Sequence, residues 1–182
     1  MNILTCDIPG LLVIEPHVFS DVRGFFMESW NRRRYNQAGI DIDFAQDSVS
    51  RSRRGTLRGL HFQNPHPQHK LLQVLEGEIF DVAVDLRRGS PTFKRWHGVV
   101  LSAGNKRQFY IPAGFAHGFA VVSDAALVQY KSSDFYSPQD ELALRWDDPD
   151  IAIEWPVKGP LLSDRDARAL RLREMPPERL FD

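Results

Sequence analysis

The chain has 182 residues with 23 Lys and Arg against 24 Asp and Glu, and a net charge of −1 excludes a general nucleic-acid or membrane-surface binder, which needs a basic excess. Hydrophobic residues at 42% and charged ones at 26% exclude a chain disordered throughout, and the length suffices for a core without a disulfide. The single cysteine, Cys6, excludes an internal disulfide and a cysteine-based zinc cluster.

Taken in chain order, the predicted elements are mostly strands. The apolar run Leu11–Ile14 follows no basic segment and precedes no small-residue cleavage site, and no stretch approaches the roughly 18 apolar residues of a membrane span. A cytoplasmic protein with one domain over residues 1–182 is therefore expected. Gly24–Trp30 reads as a strand, after which Asn31 caps a short helix through Gln37 that stops at Gly39. Strands follow at Leu57–Phe62, Leu71–Leu75, Ile79–Leu86, Trp96–Leu101, Phe109–Ile111, Gly118–Val122 and Leu127–Tyr136, parted by turn signals such as Glu76-Gly77 and Pro112-Ala113-Gly114. In Ile79–Leu86 the apolar Phe80, Val82, Val84 and Leu86 alternate with Asp81 and Asp85, which predicts one apolar face and one carboxylate face. Tyr130 and Tyr136 have the same parity, so an unbroken strand aims both at one face. Ser163 caps a second predicted helix through Leu172. The pattern predicts an all-β fold, an antiparallel β-barrel or jelly roll with a few short helices. A two-sheet sandwich of another strand order is the alternative, because periodicity does not fix strand order.

Six histidines are the first candidates for chemistry. His61 ends a strand among apolar neighbours in Arg58-Gly59-Leu60-His61-Phe62-Gln63, and His117 sits in Ile111-Pro112-Ala113-Gly114-Phe115-Ala116-His117-Gly118-Phe119. A lone histidine in such company is first of all a hydrogen-bonded core residue, but glycines beside both allow a ligand or backbone to approach closely. His66 and His69 fall in the polar Asn64–His69 loop and read as solvated, and nothing raises His17 or His97 above that. Pro112-x-Gly114-x-x-His117 resembles the second motif of the cupin superfamily. No two histidines stand two apart, as ligands sharing one strand face must, so the spacing defines no metal site.

A closer resemblance runs from about residue 8 to about residue 170. Asp21-Val22-Arg23-Gly24-Phe25-Phe26, Gln46-Asp47-Ser48, Leu57 to Gln63, Phe80 to Asp85, Ser90-Pro91-Thr92-Phe93 and Ile111 to Phe119 occur in order. They are followed by Tyr130-Lys131, Tyr136-Ser137-Pro138, Ile153-Glu154-Trp155-Pro156 and Leu162-Ser163-Asp164-Arg165-Asp166. Together these strings resemble the dTDP-4-dehydrorhamnose 3,5-epimerases, members of the cupin superfamily. The resemblance implies proton removal and return at C3 and C5 of a dTDP-linked 4-keto-6-deoxyhexose, with no metal or redox cofactor. It implies His61 as the base, Asp166 as the carboxylate that orients it, Tyr130 as the acid on the opposite face, and Lys70 beside the enolate oxygen. It also implies that Arg23, Glu28, Gln46, Arg58, His117, Tyr136, Glu141 and Arg165 bind the sugar nucleotide, with Tyr136 against the nucleotide. A homodimer is implied in which N-terminal strands cross, placing Arg23 and Glu28 in the partner's pocket.

Parity raises one difficulty: Arg58 and His61 are three apart and face opposite sides of a flat strand unless Gly59 supplies a bulge. Ser48 and Val49 replace a frequent Asn and His of the family, and Arg165 stands where a lysine is usual. The alternatives are an enzyme inverting a single centre, a sugar-nucleotide-binding cupin without catalysis, and a metal-dependent cupin.

Overall fold

The computed structural model describes residues 1–182. The N-terminal strands are β1 (Asn2–Thr5), β2 (Leu12–Glu15), β3 (Val18–Asp21) and β4 (Gly24–Met27), followed by helix α1 (Arg32–Gln37). Then come β5 (Gln46–Arg53), β6 (Leu57–Gln63), β7 (Lys70–Glu76), β8 (Glu78–Asp85), β9 (Trp96–Ser102), β10 (Gln108–Ile111), β11 (Phe115–Val121), β12 (Ala125–Ser132) and β13 (Glu141–Ala143). Helix α2 (Asp164–Ala167) and two 3₁₀ turns complete the chain.

Two antiparallel sheets face each other, one in the order β1-β2-β10-β7-β12-β5 and the other β13-β6-β11-β8-β9. They share no strand, so the molecule is a jelly-roll sandwich of cupin type and not a closed barrel. Leu72, Val74, Ile79, Phe109, Phe119 and Val128 are among the buried residues between them. Beneath the second sheet, Val82, Val84 and Leu86 of the β8 segment bury against Leu144, Ile151, Leu172 and Met175 of the C-terminal segment. On the outer face of the first sheet, Tyr35 of α1 and Ile40 pack on Ile14, Leu71 and Tyr110. The Tyr35 hydroxyl fixes α1 further by donating to Gln108 Oε1 at 2.6 Å.

Asn31 caps α1 as expected, its side chain accepting from the Arg34 N–H. The apolar and carboxylate faces expected for β8 are both covered, since Asp81 and Asp85 are fully buried. Burial alone would push Asp85 up, but Arg87, Ser90 and Thr92 all donate to it and hold it at about 2. Two other expectations are corrected. The strand expected through Tyr136 ends at Ser132, because Gln46 Oε1 accepts the Tyr136 N–H and Gln63 Oε1 the Ser137 N–H, both at 2.9 Å, turning the chain. The second helix stops at Ala167 instead of Leu172, because Leu170 pairs with Leu144 as a parallel bridge that draws the backbone out of helical geometry.

Candidate active site

The geometry of the site begins at a close crossing of β6 and β11. Gly59 has a φ of +119°, and a Cβ there would lie 2.6 Å from Gly118 Cα and 2.7 Å from the His117 carbonyl oxygen. At the same level the register slips: His117 pairs with His61, but Phe119 pairs with Arg58, leaving one extra residue on β6. This bulge resolves the parity difficulty, since Arg58 and His61 both line one cleft of about 360 Å³.

Both sheets contribute to that cleft. Gln46, Ser48 and Ser50 come from β5, Lys70 from β7, His117 from β11 and Tyr130 from β12, while Tyr136 and Glu141 also line it. Tyr130 is paired directly with Ser48 across β5 and β12. His61 Nε2 lies 2.6 Å from Asp166 Oδ1, and Asp166 is only 3% exposed. The Ser163 hydroxyl that caps α2 accepts the Asp166 N–H at 3.1 Å, which fixes the carboxylate against the ring. Burial raises the Asp166 carboxyl, but the bond and charge of His61, the Ser163 hydroxyl and the Gly59 N–H outweigh it and hold it below the ordinary carboxylate value. The ionised carboxylate accepts the Nε2 proton, leaving Nδ1 as the free ring nitrogen.

A second carboxylate stands on the other side of the ring. Glu141 Oε1 is 3.9 Å from His61 Nδ1. Its Oε2 accepts from the Tyr136 hydroxyl at 2.9 Å and pairs with Arg165 Nη1, while Arg165 Nη2 donates to the Glu141 carbonyl at 2.7 Å. Deeper in the cleft, His117 Nε2 lies 3.0 Å from both oxygens of Asp81. Burial pushes His117 down and Asp81 up, so the pair is biased toward its neutral forms. Lys70 is not the solvated charge usual at a loop-to-strand junction; burial lowers its ammonium pKa against the opposing pull of Glu141 and Asp81.

Arg23 and Glu28 are not brought to this cleft. Arg23 is bonded to Asp21 at the tip of the β3–β4 hairpin, and Glu28 pairs with Arg34 and accepts from Asn31 beside α1. His66 is solvated as expected and contacts Asp140 at 2.9 Å, but His69 is half-buried, hydrogen-bonded to the Tyr110 hydroxyl at 2.8 Å, and lowered in pKa by burial. No three His, Cys, Asp or Glu side chains are arranged to hold a metal ion.

The family model for dTDP-4-dehydrorhamnose 3,5-epimerase matches residues 5–174. The chain belongs to this epimerase family. It is 54% identical over 168 residues to the dTDP-4-dehydrorhamnose 3,5-epimerase of Shigella flexneri, covering 91% of this chain and 93% of that one. It is 55% identical to the Pseudomonas aeruginosa enzyme of the same name over 161 residues, 87% of this chain and 89% of the other. Among solved structures, a dTDP-6-deoxy-D-glucose-3,5-epimerase from Legionella pneumophila in complex with dTDP-4-keto-L-rhamnose superposes with a TM-score of 0.97 at 50% identity, covering 99% of this chain and 97% of that chain. The protein is thus an isomerase of the dTDP-4-dehydrorhamnose 3,5-epimerase family.

In this family member, sequence reasoning overlooked Asp81 and Ser50 as parts of the site. Asp81 was hidden by its apolar strand, although a charge inside such a run is itself a signal. Ser50 belongs to a row of serines at alternate positions, Ser48, Ser50 and Ser52, and its buried hydroxyl has no hydrogen-bond partner. Ser52 accepts from Arg58 Nε at 3.0 Å, which steadies the guanidinium at the cleft wall.

Proposed function

We propose that the protein inverts C3 and C5 of dTDP-4-dehydro-6-deoxy-D-glucose, giving dTDP-4-dehydro-L-rhamnose for dTDP-L-rhamnose synthesis. The observation that carries this reading is the 2.6 Å contact of His61 with a buried, ionised Asp166 in the cleft that also holds Lys70 and Tyr130. Both carbons flank the C4 ketone, so loss of either proton gives an enolate. His61 Nδ1 takes the proton, and Asp166 stabilises the imidazolium that forms. The Lys70 ammonium meets the enolate oxygen, and its burial-lowered pKa brings it nearer to sharing a proton with that oxygen. Tyr130 returns the proton of its phenol hydroxyl on the opposite face. A positioned acid or base contributes about 10²–10⁴ in rate, and a preorganised donor at the oxyanion about 10²–10³. The net change moves only protons, so no redox cofactor is needed. Arg58 supplies a planar donor fork for the diphosphate, and Tyr136, half exposed at the edge of the cleft, offers a ring face to the nucleotide base.

The experiment that tests this reading is incubation with the 4-keto-6-deoxyglucose nucleotide in deuterated water, followed by NMR. Deuterium is expected at both C3 and C5 together with inversion at each; absence of deuterium from both positions rejects an epimerase, and exchange at one alone makes it a single-centre enzyme.

In the same reading the enzyme works in the cytoplasm as a homodimer. The β3–β4 hairpin pairs only with itself and exposes Phe19, Phe25 and Phe26 at 57%, 58% and 65%, an apolar surface that a second copy would cover. Seated on a neighbour, the hairpin carries Arg23 and Glu28 toward the partner's cleft. Sedimentation at micromolar concentration is expected to give a particle of about twice 20.9 kDa, and a single species at 20.9 kDa contradicts the arrangement.

A further inference from the structure

We propose that Glu141 is the proton outlet of His61, the carboxylate that takes the abstracted proton from the imidazole and passes it to water between the two inversions. This rests on the reading of His61 as the base. Proton balance requires such an outlet. Each inversion breaks one substrate C–H bond and forms an N–H bond on His61 Nδ1, while the Tyr130 O–H bond breaks and a new C–H bond forms. After the first inversion His61 is an imidazolium and Tyr130 a phenolate. Neither is ready for the second carbon until the imidazolium has lost its proton and the phenolate has taken one from water.

Nε2 offers a poor exit, because its proton is held at 2.6 Å by Asp166, which is only 3% exposed. Nδ1 faces one other carboxylate, that of Glu141, whose Oε1 lies 3.9 Å away. The two donors to this carboxylate, the Tyr136 hydroxyl and Arg165 Nη1, both occupy Oε2, so the oxygen nearer the ring keeps its lone pairs free. Catalytic contacts in empty sites are commonly long and tighten when substrate binds. Glu141 also borders a second, open groove shared with Asp164, Arg165 and Arg168. When a sugar nucleotide fills the cleft, that groove keeps the carboxylate within reach of water. In the outlet step the Nδ1–H bond breaks and a carboxyl O–H forms; the O–H then breaks as water takes the proton.

Glu141 acts here through His61, and the test must separate that role from simple substrate binding. Wild type, Glu141→Gln, Glu141→Asp and His61→Ala are compared in deuterated water with substrate in excess, reading initial rates of singly and doubly exchanged sugar by NMR. Gln cannot take a proton, so Glu141→Gln is expected to release singly exchanged sugar in a ratio at least about tenfold above wild type, because the second inversion waits for a reset base. Glu141→Asp restores the carboxylate and brings that ratio back toward the wild-type value. Should the Gln variant melt early, Glu141→Ser gives the same readout with a smaller side chain. An unchanged ratio in Glu141→Gln, or both exchanges slowed in step with KM raised, overturns the outlet and leaves Glu141 a binding contact. Exchange that persists in His61→Ala overturns the base reading itself, whatever Glu141→Gln does.

Discussion

Replacing His61 by Ala is expected to remove deuterium exchange at C3 and at C5 together, with kcat/KM falling by about 10³ or more. The expectation follows from a count of bases. The cleft holds one imidazole that is both backed by an ionised carboxylate and left with a free ring nitrogen; His117, the other histidine there, is buried to 8% exposure against Asp81 and lowered in pKa by burial. Two carbons must therefore be served by one group. Asp166→Asn should approach the same loss, because an amide can turn its N–H toward Nε2, which moves the ring proton to Nδ1 and removes the lone pair that accepts from carbon. Rates at the two carbons measured in parallel check this. A variant that loses exchange at one carbon and keeps it at the other assigns a different base to the second inversion.

Gly59→Ala is expected to harm the fold severely through the addition of a single methyl group. A Cβ at residue 59 would meet Gly118 Cα at 2.6 Å and the His117 carbonyl at 2.7 Å, and both of these are backbone atoms that no side-chain rotation can move away. A φ of +119° is strained for any residue with a side chain, at about 1–3 kcal/mol. Forcing β6 and β11 apart adds about 1–3 kcal/mol. At two to four degrees per kcal/mol for a chain of this size, Tm should fall by roughly 10 °C. Because Arg58 and His61 flank this residue, the folded fraction should also lose activity. A melting curve within about 2 °C of wild type would show that the crossing gives way easily.

How much of this was legible in the sequence depends on where each side chain points. The Asn31 cap and the β8 alternation were readable, because caps and period two are local properties. β5 was not read as a strand: its sequence, Gln-Asp-Ser-Val-Ser-Arg-Ser-Arg, carries few apolar residues because its inward side chains line a polar cleft. The burial of Asp81 was not readable, because alternation separates two faces without saying which of them meets water. Tyr136 reaches the cleft from a bend instead of a strand, held by Gln46 and Gln63, side chains whose partners lie 90 and 74 residues away. The His61–Asp166 pair spans 105 residues, and only resemblance to a family joined them before the structure did. Position along a strand is local information, whereas partners across the sandwich are set by topology.

The proposed epimerisation needs a base and an acid working from opposite faces of one sugar ring. Tyr130→Phe tests it most directly, by comparing deuterium incorporation with stereochemical inversion on the same sample. Without the phenol, His61 still removes protons and can return deuterium only to the face it took them from. Exchange at C3 and C5 is therefore predicted to continue while inversion falls behind it by about 10²-fold or more. Inversion that keeps pace with exchange in Tyr130→Phe would rule out Tyr130 as the acid, since the second proton must then come from elsewhere.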